Sequence, residues 1–344
     1  MKSLLIVTDA WHPQINGVVR SIERTVEELL RMDMPVEVLS PADFFTVPCP
    51  TYAEIRLSLT TPAALRRRVL AGGYDHLHIA TEGPLGLMAA RVARSLGIVY
   101  TTSYHTRFPE YLSARMPVPV SWSYAWLRGF HNAGHGCMVA TPTLERDLTA
   151  RGFTKLMRWS RGVDHELFRP REGSVLGEGI AGPIFMYVGR VAVEKNIAAF
   201  LDLDLPGTKV VVGDGPQLAD LRARYPQVLF TGSKTGEDLA WHYSSADVVV
   251  FPSRTDTFGN VLLEALAAGV PVAAYPVMGP LDILAGTGAG VLDEDLGRAA
   301  VAALAISRER CREVALSYSW QASTRQFLGN CLHAAEIAQS RGAA

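Results

Sequence analysis

Residues 246–271 read ADVVVFPSRTDTFGNVLLEALAAGVP. The run Ala246–Phe251 is short and apolar, the pattern of a strand buried on both faces of a parallel sheet. Small and polar residues then turn the chain, a helix starts near Asn260, and Pro271–Ala274 reads as the next strand. Strand, loop, helix and strand in this order are the repeating unit of a doubly wound α/β sheet. Asp256 and Glu264 stand eight positions apart, one ahead of the helix and one expected in its third turn. Between them, Phe258 and Gly259 bring backbone N–H groups to a helix N-terminus, where unpaired amides and the helix dipole favour an anion.

The chain has 344 residues, room for two domains of ordinary size. Hydrophobic residues are 48% and charged residues 19%, so buried cores are expected and disorder is not. Cys49, Cys137, Cys311 and Cys331 are scattered with no C-x-x-C pair, which argues against a zinc site or disulfide framework and fits a reducing cytoplasm. The first apolar run ends at Asp9, too early for a signal peptide, so it is read as a strand. No run is long enough to span a membrane. The net charge of −1 hides an asymmetry: residues 1–170 carry 19 Lys and Arg against 15 acids, and residues 171–344 carry 14 against 19. The basic half is expected nearer something anionic, with solvated surface as the plain alternative. No stacking or helix-turn-helix motif accompanies it, so no nucleic acid is expected.

Upstream, Lys2–Thr8 reads as a strand, Asp9–Gly17 as a turn, Val18–Met32 as an amphipathic helix and Pro35–Leu39 as a second strand. Gly17 sits where a ligand would approach backbone, but the turn is not G-x-G-x-x-G. Irregular strand is expected over Pro48–Leu59, and a helix over Thr61–Leu70 with Thr61 as N-cap and the basic run Arg66–Arg68. Further strands are expected at His76–Ala80, Val99–Ser103 and 157–161, with helices at Leu87–Leu96 and from Pro142 to about Arg151. The stretch 117–130, with Trp122, Tyr124 and Trp126, reads as core, acceptor groove or membrane-facing surface. A linker is placed around Pro170 and Gly173. The pattern restarts at Ile184–Val188 and continues with strands at Lys209–Val212, Val228–Thr231 and 290–292. Helices over Leu296–Ala303 and from Trp320 to about Gln339 close the chain.

Arg190 and Lys195 follow one strand, five positions apart and beside Gly189. Either alone reads as a surface charge. Together at a strand's carboxyl end, in the domain that holds the Phe258–Asn260 helix start, they point to phosphate: an arginine fork and a lysine point charge offset a diphosphate without a metal. Gly213 and Gly215, in GDGP after the next strand, read as a tight turn or a wall of the same pocket. Glu264 lies among Leu262, Leu263, Ala265 and Leu266, so it needs a partner or a ligand. His12 and His105 both lie in strand-end turns of the first half, where doubly wound sheets place their chemistry. This set suits a nucleotide-sugar, with one acid for sugar hydroxyls, amides for phosphates and the other acid for ribose. A sugar phosphorylase, an epimerase or a catalytically silent nucleotide-sugar-binding protein remain open on the residues alone.

Six ordered motifs carry a resemblance: DAWHPQINGVVR at 9–20, SYHTRFPEYL at 103–112, GVDHELFRP at 162–170, GRVAVEKN at 189–196, VGDGP at 212–216 and PSRTDTFGNVLLEALAAGVPV at 252–272. The chain resembles the retaining family-4 glycosyltransferases with the E-x7-E motif over nearly its whole length. It is most similar to the branch of GDP-mannose-dependent α-mannosyltransferases and diacylglycerol glycosyltransferases. The resemblance implies the GT-B fold: two Rossmann-like doubly wound domains facing a cleft, here 1–168 with a returning helix over 320–344, and 169–319. It implies that Gly17 lies over the donor phosphates, His105 near the transferred sugar, and Arg190 and Lys195 on the diphosphate. Asp256 and Glu264 would be the two acids, with Phe258, Gly259 and Asn260 between them and Gly189, Gly213 and Gly215 at the donor. It further implies no cofactor or divalent metal, and a lipid, polysaccharide or oligosaccharide acceptor. A lipid acceptor would put the protein at the inner face of the cell membrane, in contact with an anionic surface. Two departures stand out: Asp256 replaces the usual Glu, and Asn16-Gly17 the usual Gly-Gly.

Overall fold

Leu4–Val7 (LLIV) shows how the sheet comes to be covered on both faces. Successive side chains of a strand point to opposite sides. Leu4 and Ile6 pack with Ile22, Leu29, Trp159 and Phe327, while Leu5 and Val7 pack with Leu65, Val69, Leu85 and Ala89. The computed structural model describes residues 1–14, 16–49, 52–113, 118–177 and 179–342. Ile15 of the first turn, Pro50 and Thr51 of the expected irregular strand, and Pro117 of the aromatic stretch lie outside the described residues.

The chain divides into two compact units, Met1–Ser160 with Trp320–Ala344, and Arg161–Ser319. The first holds strands β1 (Leu4–Val7), β2 (Val36–Leu39), β3 (Phe45–Cys49), β4 (Tyr52–Leu59), β5 (His76–Ile79), β6 (Val99–Tyr104), β7 (Cys137–Val139) and β8 (Leu156–Arg158). Its helices are α1 (Gly17–Arg31), α2 (Pro62–Gly72), α3 (Pro84–Leu96), α4 (Phe108–Ser113), α5 (Val120–Asn132), α6 (Pro142–Ala150) and, from the far end of the chain, α14 (Trp320–Gly342). The second unit holds β9 (Ile184–Val188), β10 (Thr208–Val212), β11 (Leu229–Gly232), β12 (Val248–Phe251), β13 (Val272–Ala274) and β14 (Gly290–Leu292). Its helices are α7 (Ala198–Leu201), α8 (Leu218–Arg224), α9 (Gly236–Ser244), α10 (Asn260–Ala267), α11 (Pro280–Leu284), α12 (Leu296–Ala303) and α13 (Arg308–Leu316).

The first sheet runs β2-β1-β5-β6-β7-β8, parallel throughout. The expected irregular stretch is an antiparallel hairpin of β3 and β4 beside it. Thr61 caps α2 as expected, accepting from the Ala64 amide at 3.2 Å. The strand expected at 157–161 stops at Arg158. Trp159 turns into the core, and the Ser160 amide donates to Gln326 Oε1 at 2.8 Å rather than to a neighbouring strand.

The second sheet runs β11-β10-β9-β12-β13-β14, also parallel throughout. β10 and β11 lie on one side of β9, and β12 to β14 on the other. The strand order therefore reverses between β9 and β12, the place where open α/β sheets bind ligands outside their carboxyl ends. The β9–β10 crossover is slight: a 3₁₀ turn at Val193–Lys195 and the four-residue α7.

Candidate active site

The loops after β9 and β12 meet at this reversal. Lys195 Nζ donates to Asp256 Oδ1 at 2.5 Å, with both side chains about one-fifth exposed. Two further bonds tie the same loops: Asn196 Nδ2 donates to the Pro252 carbonyl at 3.1 Å, and the Thr255 hydroxyl to the Glu194 carbonyl at 3.3 Å. Asn196 does this from a left-handed backbone, φ 53°, a conformation that asparagine tolerates better than most residues. Arg190 leaves the same strand end, and its carbonyl accepts from the Tyr187 hydroxyl at 2.8 Å.

Asp256 divides its carboxylate. Oδ1 takes Lys195, while Oδ2 is buried with no hydrogen-bond partner among the described residues. A buried acceptor of this kind is costly unless something donates to it, and a sugar hydroxyl is a donor of the right kind. Two residues on, Phe258 is buried, and Gly259 after it forms the N-cap of α10 at φ 90°. Asn260 is the first helical residue, and the N-cap Gly259 has no side chain of its own to cap this terminus. Gly279 packs against the same loop, where an added Cβ would come within 2.7 Å of the Phe258 carbonyl oxygen.

Glu264 lies in the second turn of α10, not the third, because the helix begins at Asn260. It is buried, and its partner is Tyr243 on α9, whose hydroxyl donates to Oε2 at 2.8 Å. Sequence reasoning named Glu264 as needing a partner but missed Tyr243. The available signal was Tyr243 itself, shortly before the apolar run Ala246–Phe251, since a tyrosine seeks a hydrogen bond when buried.

Gly213 and Gly215 have a packing reason of their own. A Cβ on Gly213 would lie 1.8 Å from the Gly189 carbonyl oxygen, and one on Gly215 2.4 Å from that of Val191. The close approach holds the Gly189–Val191 backbone in place through Val191 N–H to the Asp214 carbonyl at 2.8 Å.

The first unit has a matching reversal between β1 and β5, but there the helix terminus is filled. Asp9, just past β1, accepts from the Leu85 and Gly86 amides at 2.9 and 3.1 Å and from the Thr81 hydroxyl at 3.0 Å. Burial raises its carboxyl above the usual range, opposed by those amides. Gly17 is the first residue of α1, and Asn16 Oδ1 accepts from the Val18 and Val19 amides at 3.0 Å each. His105 follows β6, its ring edge-on to Trp159 at 5.6 Å. His12 is paired with Glu23 at 2.5 Å. Gly17 and His105 thus belong to the first unit, and the other ten sequence-derived site residues to the second.

Residues 15–167 match the family described as Glycosyltransferase Family 4, and residues 182–307 the family described as Glycosyl transferases group 1. A GDP-mannose-dependent alpha-mannosyltransferase of Mycobacterium tuberculosis is 31% identical over 94% of this chain and 95% of its own length. An alpha-monoglucosyldiacylglycerol synthase of Streptococcus pneumoniae is 28% identical over 78% of this chain and 70% of its own. Among solved structures, a sucrose-phosphate synthase from Thermosynechococcus elongatus superimposes with a TM-score of 0.78 at 20% identity, covering both chains fully. HepE of Anabaena in complex with UDP gives 0.71 at 16% identity, covering 96% of this chain and 99% of its own. With two doubly wound sheets and a relative of this identity along almost the whole chain, the protein belongs to glycosyltransferase family 4 and has the GT-B fold.

Proposed function

We propose that the enzyme transfers a hexose from a nucleotide-diphospho-sugar to an acceptor hydroxyl, with retention of anomeric configuration and without a divalent metal. The observation that carries this is the joining of the loops after β9 and β12 by Lys195 and Asp256, with Arg190 in the first of these loops and the glycine N-cap of α10 after the second. In this reading Arg190, Lys195 and the α10 amides stabilise the charge that develops on the leaving diphosphate. Asp256 Oδ2 accepts a sugar hydroxyl and Glu264 the ribose, with Gly189, Gly213, Gly215, Phe258 and Gly259 forming the backbone walls. His105 and Gly17 serve the sugar and phosphates from the first unit. The acceptor oxygen arrives on the face from which the diphosphate leaves, and its proton passes to a phosphate oxygen, so no protein nucleophile is required.

The relatives favour GDP-mannose as donor, and the HepE complex makes UDP-sugars the other group to test. A membrane glycolipid such as diacylglycerol is the favoured acceptor, by analogy with the synthase relative; a polysaccharide or oligosaccharide is the alternative. Trp122 and Trp126 stand exposed on α5, and Arg66, Arg67 and Arg68 on α2, which suits peripheral contact with an anionic membrane. No helix among the described residues is long and apolar enough to cross one.

The test is a panel of GDP- and UDP-sugars, with and without membrane lipids and with a chelator in parallel, reading product and its anomeric configuration. One nucleotide class should support α-product formation that survives chelation. Inverted product, or binding of donor in calorimetry without transfer or hydrolysis, would overturn the proposal.

A further inference from the structure

A cavity lies in the first unit, between α3 and α5. Its volume is about 350 Å³, at the small end of ligand pockets, which run roughly 300–1,000 Å³. Leu87, Ala90, Arg91 and Arg94 form one wall, and Ala125, Trp126, Gly129 and Phe130 the other. Tyr100, the second residue of β6, also lines it. That places the cavity toward the amino ends of the strands, whereas His105 and Asp9 mark their carboxyl ends.

Three observations set this cavity apart from an ordinary groove between helices. Tyr100 is fully buried, yet its hydroxyl has no hydrogen-bond partner among the described residues; such a group calls for a ligand or a water. Burial raises the Tyr100 phenol and the Arg94 guanidinium pulls it back, so the two lie within electrostatic reach. Arg91 and Arg94 are exposed one turn apart, and among the described residues neither forms an ion pair; Arg94 only donates to its own helix at the Ala90 carbonyl, 3.2 Å. Arg94 also complements the end of α3, a common place for a cation, but Arg91 lies a turn earlier. Finally, Gly129 sits inside α5, where glycine weakens a helix, and a Cβ there would meet nothing within 4 Å. The fold gives no reason for glycine at this position; a ligand lying along α5 does.

We propose that this cavity binds an amphipathic anion, its phosphate or carboxylate head between Arg91, Arg94 and the Tyr100 hydroxyl and its apolar body along Ala125, Trp126, Gly129 and Phe130. The site is separate from the sugar-transfer chemistry and does not depend on the donor or acceptor assigned above. An arginine pair suits such a head because its forked donors match the oxygens of phosphate or carboxylate. The flat rings of Trp126 and Phe130, stacked at 6.5 Å, suit an alkyl or aromatic body.

Dodecyl phosphate titrated into the whole protein below its micelle concentration, followed by calorimetry and tryptophan fluorescence, tests this. One-to-one saturable binding is expected, with inorganic phosphate alone and dodecanol alone each at least tenfold weaker. Gly129→Leu projects an apolar side chain into the cavity from a position where an added Cβ meets nothing within 4 Å, and should abolish binding while leaving the melting temperature unchanged or higher. Arg91→Ala with Arg94→Ala should weaken it at least tenfold, and Tyr100→Phe several-fold without loss of stability. Phosphatidylglycerol vesicles that displace the probe would identify a bilayer lipid as the source of the anion, and failure to displace it a free amphiphile; both support the site. Binding to the vesicles with none to dodecyl phosphate, or dodecyl phosphate binding indifferent to Gly129→Leu, would overturn it.

Discussion

Lys195 and Asp256 are 61 positions apart, and their meeting gives the site its local charge balance. Replacing Lys195 by Ala removes one cation from the proposed diphosphate and leaves Asp256 without its partner. Turnover should fall about 100- to 1,000-fold, the range for losing one preorganised charge-stabilising donor. Steady-state kinetics with the accepted donor checks this, and near-normal turnover would remove Lys195 from the reaction. His131 allows a second test at this scale, on stability. It is fully buried, with Nδ1 2.8 Å from Thr102 Oγ1 and Nε2 3.1 Å from Glu82 Oε1. Burial pushes the imidazolium down, but Cys137 and Glu82 outweigh it and hold the pKa at about 10. The folded value lies above the unfolded one, about 6.5. The stabilisation is therefore complete below about pH 6.5 and is lost as pH rises through about 10. Denaturant midpoints should decline across that window, and Glu82→Gln should flatten the decline.

Among elements, the parallel strands were the most legible in the sequence. β9 coincides with the expected run, because a strand covered on both faces is written as an unbroken apolar stretch, and the half-buried edge strand β14 coincides as well. α12 was legible to the residue for a related reason, its small apolar side chains repeating on a buried face. The short helices α4, α8, α9, α11 and α13 were not anticipated. α13, RERCREVAL, buries only Cys311 and Ala315, too few apolar positions to show a period. The site was legible as residue types at strand ends, since parallel topology gathers those ends along one edge. The pairings Lys195–Asp256, Asn196–Pro252 and Tyr243–Glu264 were not, because they depend on which strands become neighbours. Nor does GDGP reveal from sequence that its glycines serve backbone packing. Gly213→Ala should cost roughly 3 kcal/mol, from overpacking against Gly189 and a strained φ of 150°. Its denaturation midpoint, compared with that of Gly173→Ala, whose added Cβ meets nothing within 4 Å, isolates the packing component.

Over the whole molecule, two sheets of one architecture are specialised by the charges at each strand reversal. In the first unit Asp9 supplies the protein's own carboxylate to α3, while in the second the loop after β9 brings Lys195 to the reversal, with Arg190 in the same loop. That difference supports assigning the donor phosphates to the second unit. The first unit is also the one assembled from both ends of the chain. Phe327 and Cys331 of α14 are fully buried in its core, against Leu4, Ile6 and Trp159. Phe327→Ala should destabilise the protein by about 3–5 kcal/mol, read as a lower midpoint in chemical denaturation. The same arrangement fixes an order of events at the ribosome. Synthesis runs from the amino end and domains fold as units, so the core around Leu4 and Ile6 cannot be completed until α14, which follows the whole second unit, has emerged. The middle of the chain, Arg161–Ser319, is the first part to have all of its own residues in hand.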